Sequence, residues 1–247
     1  MIKRFKVCVA YDGTNYKGWQ KQNNGLGIQE VLEKVLSSIS HEQIDIVASG
    51  RTDAGVHASK QYFHFDTVFY LDADAWHKAI RGYLPKDIYI ISMEEVDQSF
   101  HARFSAKAKI YQYRIKINHY DVFERNYSCY CGYPLDVKVM KQCAQLFVGS
   151  KDFTSFCGNS LQIHPDQVRT IYSIDIEDNE EWIVLTFHGR SFLRYMVRMI
   201  TAALITAGRG RVSEDELEMM LKAKNKDAFK LNAEPQGLYL MDVLYEG

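Results

Sequence analysis

Runs of alternating hydrophobicity interleaved with amphipathic helices mark this chain as α/β (α+β), with a central, mainly antiparallel sheet flanked by helices. Three observations carry that assignment. Lys3 to Tyr11 sets Phe5, Val7 and Val9 on one side of an extended run, the period of a strand. Gly27 to Ile39 sets Ile28, Val31, Leu32, Val35, Leu36 and Ile39 at the spacing of one helix face. Runs of both kinds then alternate to the C-terminus, with no Pro/Gly/Ser-rich linker, low-complexity tract or repeat between them.

Along the chain, the first strand ends in the turn former Asp12-Gly13 and the Gly27 to Ile39 helix follows. Ile44 to Ala48 reads as a short strand and Gln61-Tyr62-Phe63-His64-Phe65 as an alternating one. Between them lies a loop, Ser49 to Ala58. Asp74 to Gly82 predicts a helix, then Ile88 to Val96 and Lys109 to Ile117 predict strands. Val137 to Phe147 is read as a helix, and Val168 to Glu177 and Trp182 to His188 as strands. Helices over Phe192 to Ala207 and Ser213 to Lys224 and a strand over Leu238 to Tyr245 complete the reading.

The totals exclude several classes. At 247 residues, 47% hydrophobic and 25% charged, the chain has the makings of one large globular domain or two smaller ones. No apolar stretch reaches the roughly 20 residues of a membrane span, and no charged-apolar-small leader opens the chain, so a cytoplasmic protein is expected. Cys8, Cys129, Cys131, Cys143 and Cys157 are odd in number and irregularly spaced. They predict buried free thiols rather than a disulfide framework or a zinc site.

Net charge is −1, yet the charges are segregated. Ala102 to Asn118 holds Arg103, Lys107, Lys109, Arg114 and Lys116 without an acid, and Gly189 to Arg211 holds Arg190, Arg194, Arg198, Arg209 and Arg211 likewise. A local positive field suits a polyanion, whose phosphates need no global excess of cations. Solvated basic faces without a partner are the alternative.

The densest chemistry is in Ser49 to Ala58, Ser-Gly-Arg-Thr-Asp-Ala-Gly-Val-His-Ala. It sets one carboxylate, Asp53, in a turn between two glycines. Loops on a rigid sheet commonly carry reactive groups; the alternative is an ordinary Asx-type turn in which Gly50 and Gly55 supply positive φ. Arg190 just before the Phe192 to Ala207 helix and Arg194 and Arg198 within it recur every fourth residue, a stripe along one side so far as Arg190 shares the helical geometry. Arg198, mid-helix between Val197 and Met199, is the candidate for a half-buried charge with an anionic partner; snorkelling to solvent is its alternative. Tyr111 and Tyr113 alternate with Lys109 and Arg114 on one strand, as where an unstacked base is held between rings and cations.

Together these segments resemble the bacterial tRNA pseudouridine synthase A family, and the resemblance runs from end to end. It is carried by Tyr11-Asp12-Gly13 through Tyr16-x-Gly18-Trp19-Gln20, by Gln29-Glu30-x-Leu32-Glu33 and by Gly50-Arg51-Thr52-Asp53-Ala54-Gly55-Val56-His57-Ala58. Leu84-Pro85-x-Asp87-Ile88, Phe100 to Ala106, Lys109-x-Tyr111-x-Tyr113 and Asp152 to Phe156 follow in the family's order. Phe192-Leu193-x-x-Met196-Val197-Arg198-x-Ile200 and Gly237-Leu238-Tyr239-Leu240 complete it.

The resemblance implies a two-lobed pseudouridine synthase fold, residues 1–106 carrying the catalytic loop and residues 107–247 forming the second lobe. It also implies a homodimer, a tRNA substrate modified in the anticodon stem-loop, and no metal or cofactor. Asp53 would be the catalytic carboxylate, Tyr111 the ring that stacks on the target uracil, and Arg198 the group that keeps Asp53 ionised. Arg51 would assist base extrusion, with Lys109, Arg103 and Arg194 as further substrate-binding cations.

Two departures stand out. Asn232-Ala233-Glu234-Pro235-Gln236 replaces the family's usual Thr-Ala-Pro-Ala type run, and Ile110 fills a slot that is often polar. Two other functions compete with isomerisation. A non-catalytic tRNA-binding or chaperone module would tolerate Asp53→Asn, and a carboxylate-dependent hydrolase generally wants a second placed carboxylate, which the Asp53 loop lacks.

Overall fold

The computed structural model describes residues 2–246. In chain order its elements are β1 (Lys3–Tyr11), α1 (Ile28–Ser40), β2 (Val47–Ala48), β3 (His57–Thr67), α2 (Ala73–Arg81), β4 (Ile88–Val96), β5 (Ala108–Lys116) and β6 (Cys129–Tyr130). There follow α3 (Val137–Ala144), β7 (Gly149–Asp152), β8 (Val168–Asp178), β9 (Trp182–Gly189), α4 (Met196–Gly208), α5 (Glu214–Ala223) and β10 (Leu238–Leu244). Among the described residues no helix is long and apolar enough to cross a membrane.

The chain divides into two compact units, one of Met1–Lys107 with Tyr239–Gly247 and one of Ala108–Leu238. The first unit therefore includes the C-terminal strand, which the two lobes implied by the resemblance place in the second. The reason is pairing. Tyr239 and Leu240 lie parallel to His57 and Ala58 of β3, and the Lys107 amide donates to the Leu244 carbonyl at 2.7 Å.

In the first unit β1 is antiparallel to both β3 and β4, and β2 adds a short antiparallel pairing to β3. The inward side of β1 and β3 meets α2 in an aromatic cluster: Phe65 lies 5.5 Å from both Phe5 and Trp76, centroid to centroid. Helix α1 buries Ile28, Leu32 and Leu36, each worth about 1.5–3 kcal/mol when fully removed from water. It also buries Glu33, a residue the hydrophobic pattern passes over. The Glu33 carboxylate accepts from the Ile46 amide (3.2 Å), and the Ser37 hydroxyl accepts from the Ile44 amide (3.0 Å). Those bonds occupy the backbone of Ile44 to Ile46, so the strand expected over Ile44 to Ala48 shrinks to Val47–Ala48.

In the second unit β9 is antiparallel to both β5 and β8, β7 is antiparallel to β8, and β6 pairs parallel with β5. Helix α3 packs against α4, α5 and β8. Tyr113, Phe147, Phe153, Phe156 and Phe187 are fully buried in this unit. The helix expected over Val137 to Phe147 tightens after Ala144 into a 3-10 turn, Gln145–Phe147.

The largest correction concerns α4, which begins at Met196 and not at Phe192. The Arg194 amide donates to Asn159 Oδ1, the Arg194 carbonyl accepts from the Gly158 amide, both at 2.7 Å, and Tyr195 turns into the left-handed region at φ 62°. With the 158–159 segment claiming its backbone, Phe192 to Tyr195 cannot join the helical ladder. Arg190 and Arg194 therefore do not share a helical stripe with Arg198, and Arg198 sits in the first turn of α4, not its middle.

Cys8, Cys131, Cys143 and Cys157 are buried and Cys129 is half-buried, all as free thiols. Lys116, expected on a basic face, is buried and paired with Glu181 at 2.9 Å.

His64 on β3 offers a test of the first unit. Its Nδ1 accepts from the Ala102 amide at 3.1 Å. Burial, then the nearby Arg4 charge, hold its pKa down from 6.5 to about 4. Since the folded value lies below the unfolded one, the unfolded chain binds the extra proton between these limits, so stability rises with pH there. Urea unfolding should show stability lost as pH falls from 6.5 toward 4, and His64→Asn, which keeps an acceptor for Ala102, should lose less across that window.

Candidate active site

The turn that carries Asp53 is fixed from below by backbone and from the sides by buried polar groups of the first unit. The Asp53 carbonyl accepts from the Val56 amide (3.1 Å), closing the turn, and Gly55 adopts φ 77°. Positive φ among the described glycines falls at Gly18, Gly25, Gly55, Gly149 and Gly210. Gly50 thus does not supply the second left-handed residue that the turn reading anticipated. Asp53 itself is half-buried, Thr52 is buried beneath it, and Arg51 is exposed before it.

The opening Tyr11 to Gln20 segment wraps this turn. The Trp19 amide donates to the Thr52 carbonyl (3.1 Å), and the Gly55 amide to the Tyr16 carbonyl (3.4 Å). Tyr11 and Thr52 hydroxyls lie 2.8 Å apart, and the Tyr16 hydroxyl donates to Asp87 (2.7 Å). Contact is so close that a Cβ on Gly13 would stand 2.0 Å from the Val56 carbonyl oxygen, and one on Gly18 2.5 Å from that of Thr52. The two sequence motifs, Tyr11 to Gln20 and Gly50 to Ala58, are therefore two sides of one packed loop pair.

Supports that the sequence reading did not single out complete the first-unit site. Ser49 donates to Gln61 Oε1 (2.5 Å) and Gln61 Nε2 to the Gly50 carbonyl (2.8 Å), tying the start of the turn to β3. His57 is buried, with Nδ1 3.1 Å from both the Gly13 amide nitrogen and Asp12 Oδ1, and its ring stacks on Tyr239 at 4.7 Å. A deprotonated Nδ1 accepts from Gly13; a protonated one donates to Asp12. The available signal was Gln61, a polar residue at an inward position of an alternating strand. Arg103 lies exposed on a turn of the same unit, its guanidinium 5.7 Å from the Phe104 ring.

The second unit holds Lys109, Tyr111, Arg194 and Arg198. Tyr111 lies on β5 opposite Phe187, 8% exposed, with the Phe192 ring edge-on at 5.2 Å. Lys109 precedes it on the same strand, opposite Gly189. Arg198 is half-buried: its Nε donates to the Ala233 carbonyl (2.7 Å), the Ala233 amide donates back to the Arg198 carbonyl (3.1 Å), and Tyr195 lies under the guanidinium at 5.5 Å. Arg194, exposed, donates through Nη2 to the Tyr195 hydroxyl (2.6 Å). The structure therefore brings Arg51 and Asp53 together in one turn, and Arg194 and Arg198 around one tyrosine.

A family profile described as tRNA pseudouridine synthase matches residues 7–105 and 143–246. A tRNA pseudouridine synthase A of Geobacillus sp. (strain WCH70) is 44% identical, with 100% of both chains covered. That of Bacillus subtilis (strain 168) is 41% identical over 98% of this chain and 99% of its own, and that of Bacillus pumilus (strain SAFR-032) 40% identical over the same shares. A solved Cbf5-Nop10-Gar1 complex aligns at 13% identity over 81% of this chain and 54% of its own, with a TM-score of 0.30, too low to bear on the fold.

The packing beneath Asp53 is open to a direct test. Gly18→Ala forces a methyl group onto the Thr52 carbonyl at a residue with φ 91°. Urea unfolding should show a loss of roughly 1–3 kcal/mol, the range for a side chain held in a disfavoured backbone region. Wild-type stability in that variant would mean the loop pair yields freely.

Proposed function

The chain belongs to the tRNA pseudouridine synthase family, and from that premise we propose that it isomerises uridine to pseudouridine in the anticodon stem-loop of tRNA. The observation that carries the proposal is the Asp53 turn. A single carboxylate is presented half-buried on a loop whose backbone is held at Gly50, Thr52, Asp53 and Gly55, the preorganisation expected of a reacting group.

The reaction breaks the ribose C1′–N1 bond, turns the uracil and joins C1′ to C5; C5 loses a proton and N1 gains one, so neither water nor an energy donor enters. A base must leave its stack to react this way. Asp53 is assigned the catalytic role, either as nucleophile at C1′ or as the base that removes the C2′ proton. Tyr111, rigid against Phe192, is assigned the face on which the uracil rests. Arg198 is assigned the charge that favours the ionised carboxylate, since burial under a base would otherwise drive a lone carboxyl neutral. Arg51, Lys109, Arg103 and Arg194 are assigned to the RNA, Arg51 also to base extrusion. A homodimer working in the cytoplasm belongs to the same proposal.

The deciding experiment measures tritium release from C5-labelled uridine in transcribed tRNA. Wild-type protein should release tritium and Asp53→Asn should not; release by neither, with tight tRNA binding by both, would leave a binding module instead. Arg198→Lys should lose activity on the order of a hundredfold with the fold retained, because an ammonium cannot reproduce the guanidinium fork. Binding of tRNA should weaken on the order of tenfold or more between low and physiological salt as phosphate contacts are lost. A flat salt response would reject the phosphate-binding roles.

A further inference from the structure

Glu234, Pro235 and Gln236 are held in place within the second unit. The Tyr113 hydroxyl donates to the Glu234 carbonyl (2.7 Å), Pro235–Gly237 forms a 3-10 turn, and a Cβ on Gly237 would lie 2.7 Å from the Tyr113 ring. Beside this turn opens a cavity of about 240 Å³ lined by Tyr120, Tyr130, Arg125, Glu234 and Gln236, among others. That is below the roughly 300–1,000 Å³ of pockets that enclose a drug-sized ligand. One planar ring system fits, with any sugar and phosphate left in solvent.

The charges argue against an anion site. Lys116, also at the wall, is already paired with Glu181 at 2.9 Å and lies over the Trp182 ring. Arg125 faces a lining that includes Asp121 and Glu234, so no net positive charge remains for a phosphate. What remains suits a neutral, donor-rich aromatic ring. Tyr120 and Tyr130 stand edge to face at 5.6 Å, 57% and 41% exposed, and offer ring surface for stacking. The Glu234 carboxylate is an acceptor only, steadied by Gln236 Nε2 at 2.5 Å, and each of its oxygens has lone pairs for a second donor. Of the four RNA bases, guanine alone sets two N–H groups, N1–H and N2–H, side by side to meet both oxygens of a carboxylate.

We propose that this cavity is a nucleobase subsite that takes a guanine of the RNA substrate other than the reacting uridine, read by Glu234 and stacked on Tyr130 or Tyr120. The proposal rests on the chain acting on tRNA. Its test uses transcribed tRNA in which single guanosines are replaced by inosine, which lacks the 2-amino group, with KM and kcat read from tritium release. One inosine position should raise the wild-type KM by on the order of tenfold or more, the worth of one hydrogen bond to a charged group. Glu234→Gln should raise KM similarly on unsubstituted tRNA at unchanged kcat, and in that variant the same inosine should add nothing. Tyr130→Ala should raise KM for every RNA alike.

An equal inosine penalty in both proteins, no responsive position, or an unaltered KM in Glu234→Gln would overturn the proposal. So would guanosine monophosphate binding to the wild type but not to Glu234→Gln while the KM for RNA ignores inosine, which would assign the cavity to a free nucleotide. If the wild type releases no tritium at all, isomerisation is what fails. The inosine series is then read as tRNA affinity by filter binding, where loss of the penalty in Glu234→Gln still supports the subsite and an equal penalty overturns it.

Discussion

Two glycines with no room for a side chain determine where the Asp53 carboxylate stands. Gly13 and Gly18 let the opening loop lie directly on the backbone of Thr52 to Val56, with main-chain atoms so near that a single methyl would meet a carbonyl oxygen. Close packing of this kind has few alternative arrangements, because backbone cannot change rotamer as a side chain can. The buried groups around it follow from the same contact. Thr52, His57, Ser49 and Gln61 are polar yet buried, and each finds its partner on the loop pair, the parallel strand β10 or the adjoining strand β3. The Asp53 turn is stiff because of what lies beneath it.

The second unit uses a different device. Instead of glycine contact, a reciprocal pair of bonds between Arg198 and Ala233 joins the first turn of α4 to the segment before β10. The pair fastens the first turn of α4, where Arg198 lies, through the Arg198 carbonyl and side chain together. Tyr195, in the left-handed region at the junction, lies against both Arg194 and Arg198. The same 232–237 segment is fastened a second time by Tyr113, whose neighbour two residues earlier on β5 is Tyr111. One strand thus positions both an aromatic face and the turn beside the cavity at Glu234.

Much of this was legible in the residues. Strands β1 and β4 have the limits that alternation indicated, and β5, β8, β9 and β10 differ by a residue at their ends. The Asp53 loop stood out through its glycines and its single acid. Legibility failed where side chains from elsewhere in the chain take over the backbone. Ile44 to Ile46 alternates like a strand but its amides go to Glu33 and Ser37; Phe192 to Tyr195 continues a helical pattern but its backbone goes to Gly158 and Asn159. The Arg190, Arg194 and Arg198 spacing was real in the sequence and empty in space for that reason. Lys116 likewise counted toward a basic segment until burial paired it with Glu181.

By itself the sequence determined the element types, the ordered motifs and with them the family, since hydrophobic period and motif order are properties of neighbouring residues. Only the tertiary structure decided that Tyr11 to Gln20 is the other side of the Asp53 turn, that β10 returns to β3 beside His57, and that Arg198 belongs to a first turn tied to Ala233. Those are contacts between residues far apart in the chain. Their geometry depends on which buried donor reaches which acceptor once the core has closed, and no local pattern carries that information.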